Sequence, residues 1–253
     1  MRPRSKKHFE ERYARVSSLL VPDPAQFRGQ WSSAFLKVGT DPDLNMGTDP
    51  VFKTEAPFFD TGSVPLSVPG SVPVSKRELH LEIGCGKGAF VSGMAKQRPD
   101  VDFLALEVVP TVIMMAMEKV FDDPVLARQQ NVRFIEGDAR ELTKCFTDNE
   151  IDTIYLNFSD PWPRKKQFKN RLTHEALLAE YRRILRPGGV IRQKTDNQGL
   201  FEFSVDGYRA AGFEVTVLDE APADNIMTEY ERRFTEASLP IYRAVAVNKK
   251  GAD

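Results

Sequence analysis

The chain has 253 residues, 41% hydrophobic and 28% charged, which is enough for one large α/β domain with extensions and a sizeable core. Its 35 lysines and arginines are balanced by 36 aspartates and glutamates, so any affinity for nucleic acid must come from local clusters. Cys85 and Cys145 form no CxxC, which argues against a disulfide framework or a structural zinc site, and no apolar run nears the ~20 residues of a membrane helix or forms a signal-peptide core, so a cytoplasmic protein is expected.

Residues 1–38 read as a basic N-terminal arm. Arg2, Arg4, Lys6 and Lys7 cluster there, and Phe9, Tyr13, Val16 and Leu20 follow with helical spacing. Trp31 carries no functional signal. Residues 39–76 read as a Pro/Ser-rich insertion or linker. Within it, Ser-Val-Pro recurs three times over 63–74, and each proline fixes φ and removes a donor, so an extended spacer is expected.

The third segment, 77–253, alternates strand and helix patterns. Strands are predicted at 79–83, 102–106, 132–135, 151–157 and 189–194, and helices at 88–98, 110–121, 173–185 and 198–211. In the helix at 173–185, Leu177, Leu178, Tyr181, Ile184 and Leu185 share a face, Thr173 supplies a cap and Pro187-Gly188-Gly189 a stop. Such alternation implies a parallel sheet covered on both faces. The last two strand patterns, Phe213–Leu218 and Ile241–Val247, lack a helical crossover and should pair antiparallel. His80, between two leucines, and the methionines 114, 115 and 117 fit core packing better than chemistry.

The first strand runs into Gly84-Cys85-Gly86-Lys87-Gly88. Glycines there let the backbone turn sharply and approach a ligand, although the GxGxG spacing differs from that of dinucleotide sites. Glu82 stands just before the loop. Glu107 closes the second strand, where an acid can accept from ribose hydroxyls; Asp138 closes the third, within reach of an adenine amino group; Asp160 closes the fourth. Four acids along one sheet edge suit a cationic ligand with hydroxyl and amine donors and repel a pyrophosphate. S-adenosylmethionine fits that description and NAD does not. No metal site is expected.

Asp160 lies in Ser159-Asp160-Pro161-Trp162-Pro163, ahead of Arg164, Lys165, Lys166, Lys169 and Arg171 with no acid among them. A charge run by itself fits a solvated face. Beside a carboxylate and an indole it fits a nucleic-acid base held at the acid while cations hold its phosphates.

These segments, with Lys194-Thr195-Asp196-Asn197 and Thr228-Glu229-Tyr230-Glu231, resemble the bacterial tRNA (guanine-N7)-methyltransferase family over roughly 77–248. The resemblance implies a Rossmann-like class I methyltransferase, with a mostly parallel seven-stranded sheet, an antiparallel last strand and helices on both faces. It implies methyl transfer from S-adenosylmethionine to N7 of guanine in tRNA, at variable-loop position 46. Methylation of another RNA base, such as adenine N6, is the alternative. By the same resemblance Glu82, Gly84, Gly86, Gly88, Glu107, Asp138 and Asp160 bind the cofactor, and Asp160 is also catalytic. Arg164, Asp196, Thr228, Glu229, Tyr230 and Glu231 contact the tRNA, in which Asp196 and Glu231 are both candidates for reading guanine. Lys165, Lys166, Lys169 and Arg171 are expected on the tRNA backbone. Arg164 stands where the family usually has lysine, and Gln167-Phe168 where it is usually polar or basic. The protein is expected to be a monomer or homodimer.

Overall fold

The computed structural model describes residues 3–36 and 77–251, so the Ser-Val-Pro repeat lies outside the described residues. The first stretch forms helix α1 (Pro3–Val16), two 3-10 turns and the short α2 (Ser32–Leu36). It does not stand away from the body as a free arm. Arg12 donates twice to Glu118, at 2.8 and 2.6 Å, and Arg15 twice to Asp122, at 2.6 and 3.1 Å. Val16 is fully buried, and the Val21 amide donates to the Phe134 carbonyl at 2.8 Å. Trp31, silent in the sequence, is an anchor: it is buried beside Phe27 and Phe146, and its Nε1 donates to the Cys145 carbonyl at 3.0 Å.

The second stretch supplies β1 (Glu78–Ile83), β2 (Val101–Glu107), β3 (Val132–Glu136), β4 (Ile151–Asn157), β5 (Leu185–Thr195), β6 (Phe213–Leu218) and β7 (Tyr242–Asn248). They form one sheet in the order β3-β2-β1-β4-β5-β7-β6. The pairs from β3 to β5 are parallel and β7 is antiparallel to both β5 and β6; the antiparallel pairing is as expected, but the link from β6 to β7 holds a short helix, Glu229–Glu236, that was not expected. Every residue of β2 is buried, which requires cover on both faces. Helices α3 (Ala89–Gln97), α4 (Pro110–Phe121) and α5 (Pro124–Gln129) enclose one core with Phe90, Met94, Ile113 and Met117. On the other side α6 (Leu142–Cys145), α7 (Glu175–Ile184) and α8 (Gln198–Ala210) pack Leu142, Leu178, Tyr181 and Tyr208 against the sheet, and Trp31 joins this core.

Two local expectations change. His174, rather than Thr173, caps α7, its ring nitrogen accepting from the Ala176 amide at 3.4 Å; Thr173 is buried with its hydroxyl 2.8 Å from that of Ser204. Pro187-Gly188-Gly189 lies inside β5, which already starts at Leu185, and the register with β4 shifts between Ile151 and Thr153. Gly188, at φ +76°, supplies the left-handed backbone for that irregularity. Helix α9 (Glu229–Glu236) was hidden by its polar sequence; the Thr228 hydroxyl caps it, accepting from the Glu231 amide at 3.0 Å.

Candidate active site

Strand β1 connects to β2 on one side of the sheet, while its other neighbour is β4, so the chain reverses its direction of build between them. In open α/β sheets the crevice at the carboxyl ends of such strands is the place for a ligand. The four acids expected at strand ends fall along this edge in the order Asp138, Glu107, Glu82, Asp160, following β3, β2, β1 and β4.

The glycine loop and Glu107 are built as one unit. The Gly84 and Cys85 amides donate to the Leu106 carbonyl at 2.8 and 3.1 Å, and the Gly86 amide to Glu107 at 3.1 Å. The other Glu107 oxygen accepts from the Val108 and Val109 amides at 2.9 and 3.0 Å. Three backbone bonds thus fix the carboxylate, and the oxygen that accepts from Gly86 keeps a lone-pair direction for a hydroxyl donor. Gly88, at φ +73°, lies against α4: a Cβ there would sit 2.8 Å from that of Ala116. A Cβ at Gly84 or Gly86 would meet nothing within 4 Å, so the loop backbone faces open space.

Glu82 is buried. Its Oε1 accepts from Asn157 Nδ2 at 2.9 Å, and Oε2 has no hydrogen-bond partner among the described residues. Burial pushes its carboxyl up to about 8, against the opposing effects of the Asn157 bond and the Lys194 charge. An orphaned carboxylate oxygen beside an open glycine backbone is the feature an ammonium group would complete. Asn157, the last residue of β4, escaped the sequence reading; a polar residue closing an apolar strand is the only signal it gives.

Asp160 is exposed on the loop after β4. Phe158 and Trp162, two residues to either side, have φ of 50° and 42°, a conformation that costs a bulky residue energy and persists only if surroundings enforce it. Arg171 is part of that enforcement, and its expected role changes. It is buried, donating from Nε to the Pro161 carbonyl at 2.8 Å and from Nη2 to that of Trp162 at 3.4 Å. Its guanidinium lies 3.7 Å from the Phe168 ring centre and 4.5 Å from that of Phe203. Arg171 therefore holds the Asp160 loop and points inward rather than out with the other cations of the run, and Phe168, which departs from a basic pattern, is one wall of its slot. Arg164, Lys165, Lys166 and Lys169 remain exposed. Asp138 accepts from the Arg140 side chain at 2.9 and 2.5 Å, which holds its carboxyl below the usual carboxylate range.

The two candidate base readers separate. Glu231 is fully buried and binds Lys194 Nζ at 2.5 Å, Arg243 at 3.0 Å and Asn225 at 3.2 Å. Burial favours its neutral form, but these bonds outweigh that and keep it ionised. Both Glu231 oxygens are thus committed to groups of the protein itself. Asp196 is half-exposed and accepts from the Tyr230 hydroxyl at 3.2 Å. The Tyr230 ring in turn lies 5.0 Å from that of Phe158, so Asp196 and the Asp160 loop meet through two aromatic residues.

Two adjoining cavities occupy the edge. One, of about 460 Å³, is lined by Glu107, Asp138, Asp160, Trp162 and Lys169; the other, of about 360 Å³, by Glu82, Gly86, Phe158, Thr228 and Tyr230, and Gly84 and Phe158 border both. Among the described residues no group of acids, histidines and cysteines could hold a metal ion.

A sheet of this order with an acid-lined glycine cleft at its switch point defines an S-adenosylmethionine-dependent class I methyltransferase, and the family model described as "Putative methyltransferase" matches residues 76–244. The chain is 35% identical over 252 residues to a tRNA (guanine-N(7)-)-methyltransferase of Limosilactobacillus reuteri, covering 97% of this chain and 99% of the relative. A protein of the same name from Bacillus subtilis is 34% identical over 249 residues, covering 96% of this chain and 97% of that one. The chain belongs to the tRNA (guanine-N(7)-)-methyltransferase family. The solved 16S rRNA methyltransferase KamB is similar in fold, with a TM-score of 0.53 at 14% identity over 67% of this chain and 87% of that one.

Proposed function

We propose that the protein transfers the methyl group of S-adenosylmethionine to N7 of a guanine in tRNA, at position 46 of the variable loop, in the cytoplasm. The observation that carries this reading is that Asp160 lines the same cavity as the cofactor acids Glu107 and Asp138. Donor and acceptor would then share one wall.

Bound S-adenosylmethionine supplies an electrophilic methyl on a positively charged sulfur. Glu82 would hold the cofactor's ammonium with its unpartnered oxygen, Glu107 its ribose hydroxyls and Asp138 its adenine amine. Guanine N7 has a lone pair and no proton, so no general base is needed at the reacting atom. With the cofactor bound, transfer would form the N7–carbon bond and break the carbon–sulfur bond, leaving the positive charge on the purine. Asp160, fixed by the Arg171 clamp, stabilises that charge electrostatically and does not move a proton. Phe158 and Tyr230 offer faces for the base, and Asp196 accepts from the N1–H and amino group of guanine, an edge on which adenine presents an acceptor instead. Arg164, Lys165, Lys166 and Lys169 hold the backbone.

Incubation with tRNA and S-adenosylmethionine, followed by mass spectrometry of the nucleosides, should yield 7-methylguanosine. N6-methyladenosine, or no methylated nucleoside, would overturn the reading. Among the described residues no helix is long and apolar enough to cross a membrane.

A further inference from the structure

The cavity beside the glycine loop has a second chemistry that the acids do not explain. Lys87 of the loop, Lys119 of α4 and Arg233 of α9 all line it. The three come from segments distant in sequence, so no charge run announces them. All are exposed, and none has an ion-pair or hydrogen-bond partner for its side chain among the described residues. The contrast lies within the same elements: Glu118, next to Lys119, is engaged by Arg12, and Arg243 and Lys194 near α9 are both committed to Glu231. In a chain with 35 basic and 36 acidic residues, three unpaired cations at one mouth are a local excess that draws in an anion.

The position selects the anion. The same cavity carries Phe158 and Tyr230 on its wall, and Phe158 also borders the Asp160 cavity. A nucleotide whose base lies against those rings leaves its phosphate at the rim. Four acids along the sheet edge would otherwise repel that phosphate, and a single carboxylate on the cofactor would not need three cations. We infer that Lys87, Lys119 and Arg233 form a phosphate-binding site for the backbone of the nucleotide that is methylated, across the cavities from the Arg164–Lys169 run. The inference rests on the tRNA reading above and adds a second strand-gripping rim to it.

The test compares wild type, Lys87→Ala, Lys119→Ala, Arg233→Ala and the triple variant, with Arg209→Ala at the far end of α8 as control. Binding of unmodified tRNA is followed against salt, methylation gives kcat and KM for tRNA, and calorimetry gives S-adenosylhomocysteine affinity. Each phosphate contact contributes roughly 0.7 to 0.9 to the slope of log K against log salt, so the triple variant should lower its magnitude by about 2 to 3. KM for tRNA should rise at least tenfold in the triple variant, with cofactor affinity unchanged and Arg209→Ala indistinguishable from wild type. An unchanged slope and KM would overturn the site while leaving the methyltransferase reading intact. Loss of cofactor affinity with an unchanged slope would assign the cations to the cofactor's carboxylate and equally overturn it. A wild-type protein that neither binds nor methylates tRNA would instead remove the reading on which the site rests.

Discussion

At the residue scale, Asp160 and Arg171 form a pair in which, on the proposed mechanism, only Asp160 touches the chemistry. Asp160→Asn preserves shape and removes charge. Its turnover should fall by about 100-fold or more, the size expected for losing a fixed electrostatic group at a transition state. Arg171 acts through the two carbonyls it binds and the two rings that sandwich it. Lysine has neither the planar fork nor the stacking face, so Arg171→Lys should also lose turnover, by about tenfold, despite keeping its charge. If Arg171 were a phosphate contact, Arg171→Lys would retain kcat and Arg171→Met would mainly raise KM for tRNA. Steady-state kinetics of both variants decide between the two.

Glu82 adds a pH signature to cofactor binding. Its carboxyl is pushed up to about 8 from 4.5 by burial, so below that pH it is protonated in the free protein. An ammonium beside it favours the carboxylate, so binding releases a proton and affinity should rise with pH toward about 8, then level off. Calorimetry in buffers of different ionisation enthalpy would read the proton directly, and Glu82→Gln should abolish both the release and the pH dependence.

At the element scale, α9 shows how a helix with little apolar surface is held. Its sequence is almost entirely polar, yet Glu231 turns inward to two cations and an amide. Removing one partner of a buried ion pair leaves the others uncompensated, so Glu231→Gln should cost about 3 to 5 kcal/mol of stability, seen as a lowered thermal midpoint. The same change should weaken activity through Tyr230, which α9 carries to Phe158. A normal midpoint with lost guanine selectivity would return Glu231 to base reading. For Asp196→Asn the order is reversed: stability unchanged, guanine methylation reduced about 5- to 150-fold, the range of a 1–3 kcal/mol bidentate contact.

At the scale of the whole molecule, Glu82 ties stability to pH with the opposite sign from a paired acid. Between about 4.5 and about 8 the native state retains a proton that the unfolded chain has released. Stability therefore falls as pH rises through that window and is flat above it, in the absence of cofactor. Denaturation at a series of pH values should show this slope in wild type and a shallower one in Glu82→Gln. Saturating S-adenosylhomocysteine should offset the loss at the upper end, because it binds the native state alone.

The strand–helix alternation, the sheet class and the acids at the strand ends were legible in the sequence because each depends on neighbours a few residues apart: alternating burial, glycines that permit a turn, and a carboxylate at the end of an apolar run. Asp160 and Glu82 could be found in that way. Long-range burial could not. Arg171 and Lys169 are two residues apart in one basic run, and only the slot between Phe168 and Phe203, with Phe203 supplied by α8, turns the first inward and leaves the second exposed. Glu231 and Asp196 are equivalent as sequence symbols, and Lys194 and Arg243 on adjacent strands decide which is a structural anion. Trp31 and the arginines of α1 acquire partners only where the chain folds back onto β3, α4 and α6. A charge takes its role from where its counter-charge lies, and that is a property of the tertiary arrangement.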